Sequence, residues 1–160
     1  MSVINQVSAR VARTISGNSP EILTFPEAAS QSFKAGQFVY LNSGKVTACT
    51  DDATTILGMA VGDASGTTDE DCEVYVANGD TIFEANVYHS TASSAVTAIT
   101  QVGTCYALQV DSNKCYVDIE DTSNDAFQVR RLSPKDKVGD RYGRVEFQVI
   151  SSARQLESGS

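Results

Sequence analysis

Hydrophobic positions between residues 33 and 88 fall into short runs of β-branched and aromatic residues that are separated by turn residues. The runs cover residues 33–41, 45–49, 56–61, 73–76 and 81–88. Branched and aromatic side chains pack well on a pleated surface, so short runs of this composition favour strands. The pattern predicts an all-β fold, in the form of a small antiparallel β-barrel or sandwich.

Three short turn sequences divide the runs into candidate hairpins. Asn78-Gly79 gives the strongest signal, because both residues accept the positive φ of a two-residue hairpin turn. Ser43-Gly44 and Ser112-Asn113 are the other two. In the Ser112-Asn113 hairpin the register would pair Val110 with Cys115, because two residues form the turn.

The second half of the chain has a weaker pattern. Residues 126–132 and 143–150 predict two more strands, whereas residues 89–102 are rich in Ser, Thr and Ala and fit either a long loop or a weak strand pair. We therefore divide the chain into four parts: an N-terminal arm (1–32), the first half of a β-rich core domain (33–88), additional strands of that domain (89–150) and a flexible tail (151–160).

Apolar residues in the arm are spaced like one face of a short helix. They are Ile4, Val7, Val11 and Ile15, three or four positions apart. An isolated helix of this length is marginal in water, so the arm is either short-helical or extended. In both cases it needs a surface to pack on, which could be its own barrel, a neighbouring subunit or a foreign protein.

Charge is unevenly distributed along the chain, whose formal net charge is −8. Residues 46–113 contain ten acids and no Lys or Arg, whereas residues 126–154 contain seven bases and three acids. Such asymmetry can steer a chain onto a partner or onto a copy of itself, and the alternative is a merely solubilising surface. The acidic balance disfavours nucleic acid as a partner, and no apolar run is long enough for a membrane helix.

Residue types that commonly carry chemistry lack the spacing that chemistry needs. His89 precedes Ser90, but no nucleophile elbow accompanies them, and neither Asp51-Asp52 nor Asp69-Glu70-Asp71 has the alternating spacing of a calcium loop. The four cysteines form no CxxC pair, and we expect free thiols rather than disulfides or a zinc site. We expect no catalytic, cofactor or metal site, and hence a protein that is not an enzyme.

Several of these runs resemble the small β-barrel capsid decoration (cement) proteins of tailed bacteriophages. The resemblance lies in Phe33-Lys34-Ala35-Gly36-Gln37-Phe38-Val39-Tyr40-Leu41, Gly44-Lys45-Val46-Thr47, Ile56-Leu57-Gly58-Met59-Ala60-Val61 and, after an acidic loop, Cys72-Glu73-Val74-Tyr75-Val76. It covers about residues 30–88. It implies a non-enzymatic structural protein, made in the host cytoplasm, that binds the outer surface of an expanded shell in the virion and bridges neighbouring capsid subunits.

The resemblance also implies partners. They are the major capsid protein and further copies of this chain, with a homotrimer favoured. The N-terminal arm would make the contact through Ile4, Val7, Arg10, Val11, Arg13 and Ile15, with the two arginines on acidic capsid patches. The alternatives are another virion component, such as a tail or head-fibre module, and a carbohydrate-binding β-domain.

Overall fold

The computed structural model describes residues 2–156 and confirms the all-β prediction. The strands are β1 (Arg10–Thr14), β2 (Ile22–Pro26), β3 (Phe38–Asn42), β4 (Lys45–Ala48), β5 (Gly58–Ala60), β6 (Asp71–Val76), β7 (Thr81–Tyr88), β8 (Cys105–Asp111), β9 (Lys114–Asp118), β10 (Phe127–Leu132) and β11 (Arg144–Val149). Residues 89–102, whose sequence fits either a long loop or a weak strand pair, contain two single-turn 3-10 helices, Ala92–Ser94 and Ile99–Gln101. In this part of the chain, no helix is long and apolar enough to span a membrane.

The strands form a closed barrel and a separate sheet. In the first sheet the order is β1-β7-β11-β10-β8-β9, and β9 returns to pair with β7 in parallel. This last pairing closes a five-stranded barrel of β7, β11, β10, β8 and β9, with β1 added alongside β7. The second sheet has the order β2-β6-β5-β3-β4. The strands between residues 89 and 150 therefore complete the barrel that β7 begins.

Phe38 on β3 connects the two sheets. Side chains alternate along a strand, so Phe38 and Val39 point to opposite faces of the second sheet. Val39 belongs to a small core within that sheet, whereas Phe38 is fully buried in the core of the barrel. The Phe38 ring centroid lies 5.1 Å from that of Phe83 and 5.1 Å from that of Phe127. The second sheet thus packs one face on the barrel and encloses its own core with the other.

Two of the three predicted hairpins are confirmed. Asn42 pairs with Lys45 across Ser43-Gly44, and Val110 pairs with Cys115 across Ser112-Asn113, in the predicted register. The third prediction, a hairpin at Asn78-Gly79, is wrong.

The chain at Asn78-Gly79 crosses from one sheet to the other. Strand β6 pairs with β2 and β5, while β7 pairs with β1, β11 and β9. Neither Asn78 nor Gly79 has a positive φ. Instead, the Asn78 side-chain oxygen accepts hydrogen bonds from the backbone N–H groups of Asp80 and Thr81, so a side chain organises this turn.

The N-terminal arm is extended, and the alternative prediction of a short helix is wrong. Arg10–Thr14 is strand β1, which pairs antiparallel with β7, and the next strand, β2, joins the second sheet. Pairing gives β1 backbone hydrogen bonds that an isolated helix would have to form unaided. At the other end, the predicted tail begins with a packed segment, in which Ala153 is buried and Gln155 bonds both backbone groups of Leu41. Tail residues 157–160 lie outside the described residues.

Candidate functional site

Four charged residues lie opposite one another across four neighbouring strands on the outside of the barrel. Arg10 of β1 pairs with Glu84 of β7, Glu84 pairs with Glu146 of β11, and Glu146 pairs with Arg131 of β10. We call Arg10, Glu84, Glu146 and Arg131 the charged ladder. The residues next to the two glutamates, among them Phe83 and Phe147, lie in the barrel core. Alternation therefore places the ladder on the outer face.

Two β-bulges bring additional cations onto this face. In β1 the register shifts between Val11 and Arg13, and in β10 it shifts between Val129 and Arg131. Residues three apart on a regular strand point to opposite faces, so Arg10 and Arg13 would be separated without the extra residue. With the bulge, both arginines bond to glutamates on the same face.

The two glutamates are buried beneath the cations that they bind. Glu84 accepts hydrogen bonds from Arg10 Nε at 2.9 Å, Lys135 Nζ at 3.2 Å and Ser133 Oγ at 2.9 Å. Its side chain is 2% exposed. Because a second carboxylate lies directly opposite, these cations also offset a repulsion that would otherwise destabilise the sheet.

Glu146 binds two arginines. It accepts from Arg13 Nε at 2.9 Å and from Arg131 Nε and Nη2 at 2.8 and 3.0 Å, and its side chain is 5% exposed. Burial alone would raise the pKa of Glu146, but the hydrogen bonds and charges of Arg131 and Arg13 outweigh it and hold that pKa below its usual value. The carboxylate is therefore charged at neutral pH and holds both guanidinium groups in place.

The cations remain half-exposed while their partners are buried. Side-chain exposure is 48% for Arg10, 38% for Arg13, 50% for Arg131 and 45% for Lys135. Arginine donors that are fixed on one side and solvated on the other can bind further carboxylates through charge-assisted hydrogen bonds. This surface can therefore recognise acidic groups.

The predicted apolar contact residues do not share one face. Val11 packs against the barrel core, and Ile4 is half-buried, with its backbone N–H bonded to Arg141. Val7 and Ile15 are 45% and 50% exposed. The structure thus brings Arg10 and Arg13 together in one surface, but leaves two of the four apolar side chains available to a partner.

Sequence reasoning missed the two glutamates. Glu84 lies between Phe83 and Ala85, and Glu146 lies between Val145 and Phe147, so alternation does place both away from the core. No local signal shows that β7 and β11 are neighbours. The burial of these acids beneath cations from β1 and β10 therefore appears only in the folded chain.

A separate cluster of carboxylates lies where the second sheet meets the barrel. Asp52 comes from the β4–β5 connection, Asp118 ends β9 and Asp121 follows it; among residues 2–156, these three offer oxygen atoms within 4.8 Å of one another. Carboxylate oxygens are ligands that calcium accepts. Burial raises the pKa of Asp118, and the charges of Glu120, Asp121 and Asp52 raise it further, against one backbone hydrogen bond from Glu120 that lowers it.

The other potentially reactive side chains are His89, Ser90 and the four cysteines. His89 Nδ1 accepts a hydrogen bond from the Thr91 backbone, and Ser90 Oγ donates to Glu120 at 2.8 Å rather than to the imidazole. All four cysteines are free thiols, as predicted. Burial raises the pKa of Cys115 to about 12, so that thiol is a poor nucleophile.

No protein-family model and no curated protein sequence matches the chain.

Proposed function

We propose that this protein is a bacteriophage capsid decoration protein. It would bind the outer surface of an expanded shell without catalysing a reaction and would bridge neighbouring capsid subunits. Support comes from the resemblance over residues 30–88 and from the all-β fold. The observation that carries the proposal is the N-terminal segment, which is fixed on the barrel and still exposes apolar side chains and, close to them in sequence, half-exposed arginines.

That N-terminal segment has the composition and order of a contact surface. Val3, Val7 and Ile15 are 62%, 45% and 50% exposed, and Arg10 and Arg13 lie between the last two in sequence. The buried core of a protein interface is more apolar than the rest of the surface, and arginine is enriched in interfaces. Because β1 is already paired with β7, little conformational entropy would be lost when a partner binds.

The proposed partner is the major capsid protein, and the proposed assembly is a symmetric homo-oligomer, with a trimer favoured. Each protomer would then present one copy of the segment to one capsid subunit. Several weak contacts made at once give strong attachment, because the later contacts are intramolecular. The protein would be made in the host cytoplasm and retained in the virion on the outer capsid surface.

Co-sedimentation with expanded shells that lack this protein tests the proposal. We expect saturable binding, with a stoichiometry that is a multiple of the three-fold sites. The double variant Val7→Asp/Ile15→Asp should bind at least about tenfold more weakly, because both side chains are exposed and their loss would remove apolar contact area without opening the core. Leu156→Asp, which changes a side chain of similar exposure (46%) outside this segment, is the matched control.

Point variants are better suited to this test than deletion of residues 2–16. The deletion would remove β1 and two of the cations that neutralise buried Glu84 and Glu146, so a loss of binding could reflect unfolding. Circular dichroism should show that both variants keep the wild-type fold. Absence of wild-type binding to shells, or equal binding by the double variant, would refute the proposal. Binding to tails or polysaccharides instead would favour the alternative classes.

A further inference from the structure

The cations around the charged ladder exceed what its buried carboxylates require. Two glutamates are neutralised by two positive charges, but Arg10, Arg13, Arg131 and Lys135 all bond to them. This group therefore has a formal charge of +2 in a chain whose net charge is −8. A network that served only to hold β1 on the barrel would not need the two additional charges.

The unused donors belong to side chains that are already positioned. Within residues 2–156, Arg13 donates only through Nε, so both of its Nη groups remain available. Arg130, which the β10 bulge places beside Arg131, donates through Nη1 to Gln148 at 2.9 Å and is exposed. A guanidinium that is held by a buried carboxylate has lost most of its rotamer freedom, so binding a second anion costs less conformational entropy.

We infer that the outer barrel face around the charged ladder, to which Arg13 and Arg130 contribute further donors, is a docking surface for carboxylate groups of an acidic protein partner. This inference rests on the proposed function in one respect, since that function makes the capsid shell the partner. With Arg130 counted as well, the face has a surplus of three positive charges, which suits a few carboxylates. A nucleic acid would carry its phosphates into the field of a chain with net charge −8, which opposes binding.

The decisive variant removes charge from this face and leaves the buried glutamates neutralised. In Arg13→Gln/Arg130→Gln, Glu146 retains its two bonds from Arg131, and Glu84 retains Arg10 and Lys135. The matched control is Lys34→Gln/Lys45→Gln. It makes the same change in net charge at two exposed ion pairs of the other sheet region.

Two measurements on the intact 160-residue chain test the inference. In co-sedimentation at 50 mM salt, the arginine variant should bind shells about tenfold more weakly than wild type, since charge-assisted hydrogen bonds are lost, while the lysine control should stay within about twofold. In an NMR titration, a hexaglutamate peptide should shift the amides of β1, β10 and residues 133–137 in wild-type protein. Those shifts should be weaker at 300 mM salt, because salt screens exposed charges.

The outcomes separate this inference from the proposed function. If wild-type protein does not bind shells but hexaglutamate shifts the ladder face, the proposed function fails and the carboxylate surface stands. If wild type and the arginine variant bind shells equally, or if hexaglutamate shifts other regions instead, the inference is overturned. A change in the self-association of the arginine variant without a change in shell binding would also overturn it, because the partner would then be a second copy.

Discussion

Replacement of Phe38 by alanine should destabilise the barrel, although Phe38 belongs to the other sheet. Its ring is fully buried and lies 5.1, 5.1 and 6.1 Å, between centroids, from the rings of Phe83, Phe127 and Phe147. The rings of Phe83, Phe127 and Phe147 come from three different strands of the barrel. Removing Phe38 would leave a cavity bordered by all of them.

The size of the effect follows from burial and from these ring contacts. Phe→Ala in a protein core costs about 3–5 kcal/mol, and the value rises as the site becomes less able to collapse. A side chain with 0% exposure and three aromatic neighbours belongs at the upper end, so we expect about 4–5 kcal/mol. Whole domains are stable by only about 5–15 kcal/mol, so the variant should be measurably close to unfolding. Phe38→Leu keeps most of the volume and should cost about 1–2 kcal/mol.

Urea unfolding followed by far-ultraviolet circular dichroism gives the free energy, and hydrogen exchange locates the effect. In Phe38→Ala, amides of β7 and β11 should exchange faster than in wild type. Phe33→Ala is the control, since Phe33 is equally buried but lies in the small core of the second sheet. That variant should leave β7 and β11 protected. A loss below about 2 kcal/mol for Phe38→Ala, or equal exchange in both variants, would refute the view that Phe38 couples the sheets.

Three further substitutions probe other features. Asp118→Asn should raise the free energy of unfolding at pH 7, because it removes a carboxylate whose pKa is raised in the folded chain. This gain in stability should disappear as the pH falls through that raised pKa, because protonation then removes the same charge from Asp118. A gain that persists at low pH would contradict the reasoning. For Asp136 the pH dependence of stability has the opposite sign, because hydrogen bonds from Arg144 lower the pKa of this carboxyl group. Its contribution to the free energy of unfolding is present above the usual carboxyl pKa and is lost as the pH falls through the lowered pKa. Asp136→Asn should therefore cost about 1.5–3 kcal/mol in urea unfolding at pH 7, and an unchanged midpoint would count against the pair. Gly58→Ala should lower the thermal midpoint strongly, because its Cβ would overlap the β6 backbone, whereas Gly62→Ala has open space and should match wild type; similar midpoints for the two would disprove this.

Local turn chemistry was predictable from the sequence, and pairing between distant strands was not. Ser43-Gly44 and Ser112-Asn113 each join strands that pair directly, so residues within a few positions determine the outcome. Asn78-Gly79 has a stronger hairpin sequence, yet the strands on either side pair elsewhere. The competing pairings join residues that are far apart in the chain, such as Phe83 and Phe147, which are 64 positions apart, and no local rule identifies such a partner.

The candidate site was predictable to a similar degree. The resemblance places Arg10 and Arg13 on acidic patches of a capsid, which stays a prediction, whereas the structure pairs them with Glu84 and Glu146 of the same chain. The helical spacing of the apolar residues in the arm suggested one face, but pairing with β7 imposed a period of two, interrupted by a bulge at Ala12. Tertiary pairing thus overrode a local periodicity that was itself weak.

The position of β7 in both sequence and sheet has a consequence for the order of assembly. All strands of the second sheet lie between residues 22 and 76, so they can pair as soon as that part of the chain has left the ribosome. β7 then emerges and pairs with β1 on one edge, but its main partner on the other edge, β11, ends at residue 149. Until that strand is synthesised, Phe38 has no complete barrel core to enter, and the open edge of β7 could recruit another nascent chain. Closure of the barrel should therefore be the slow, late step in biogenesis, and the step at which newly made protein is most prone to aggregate.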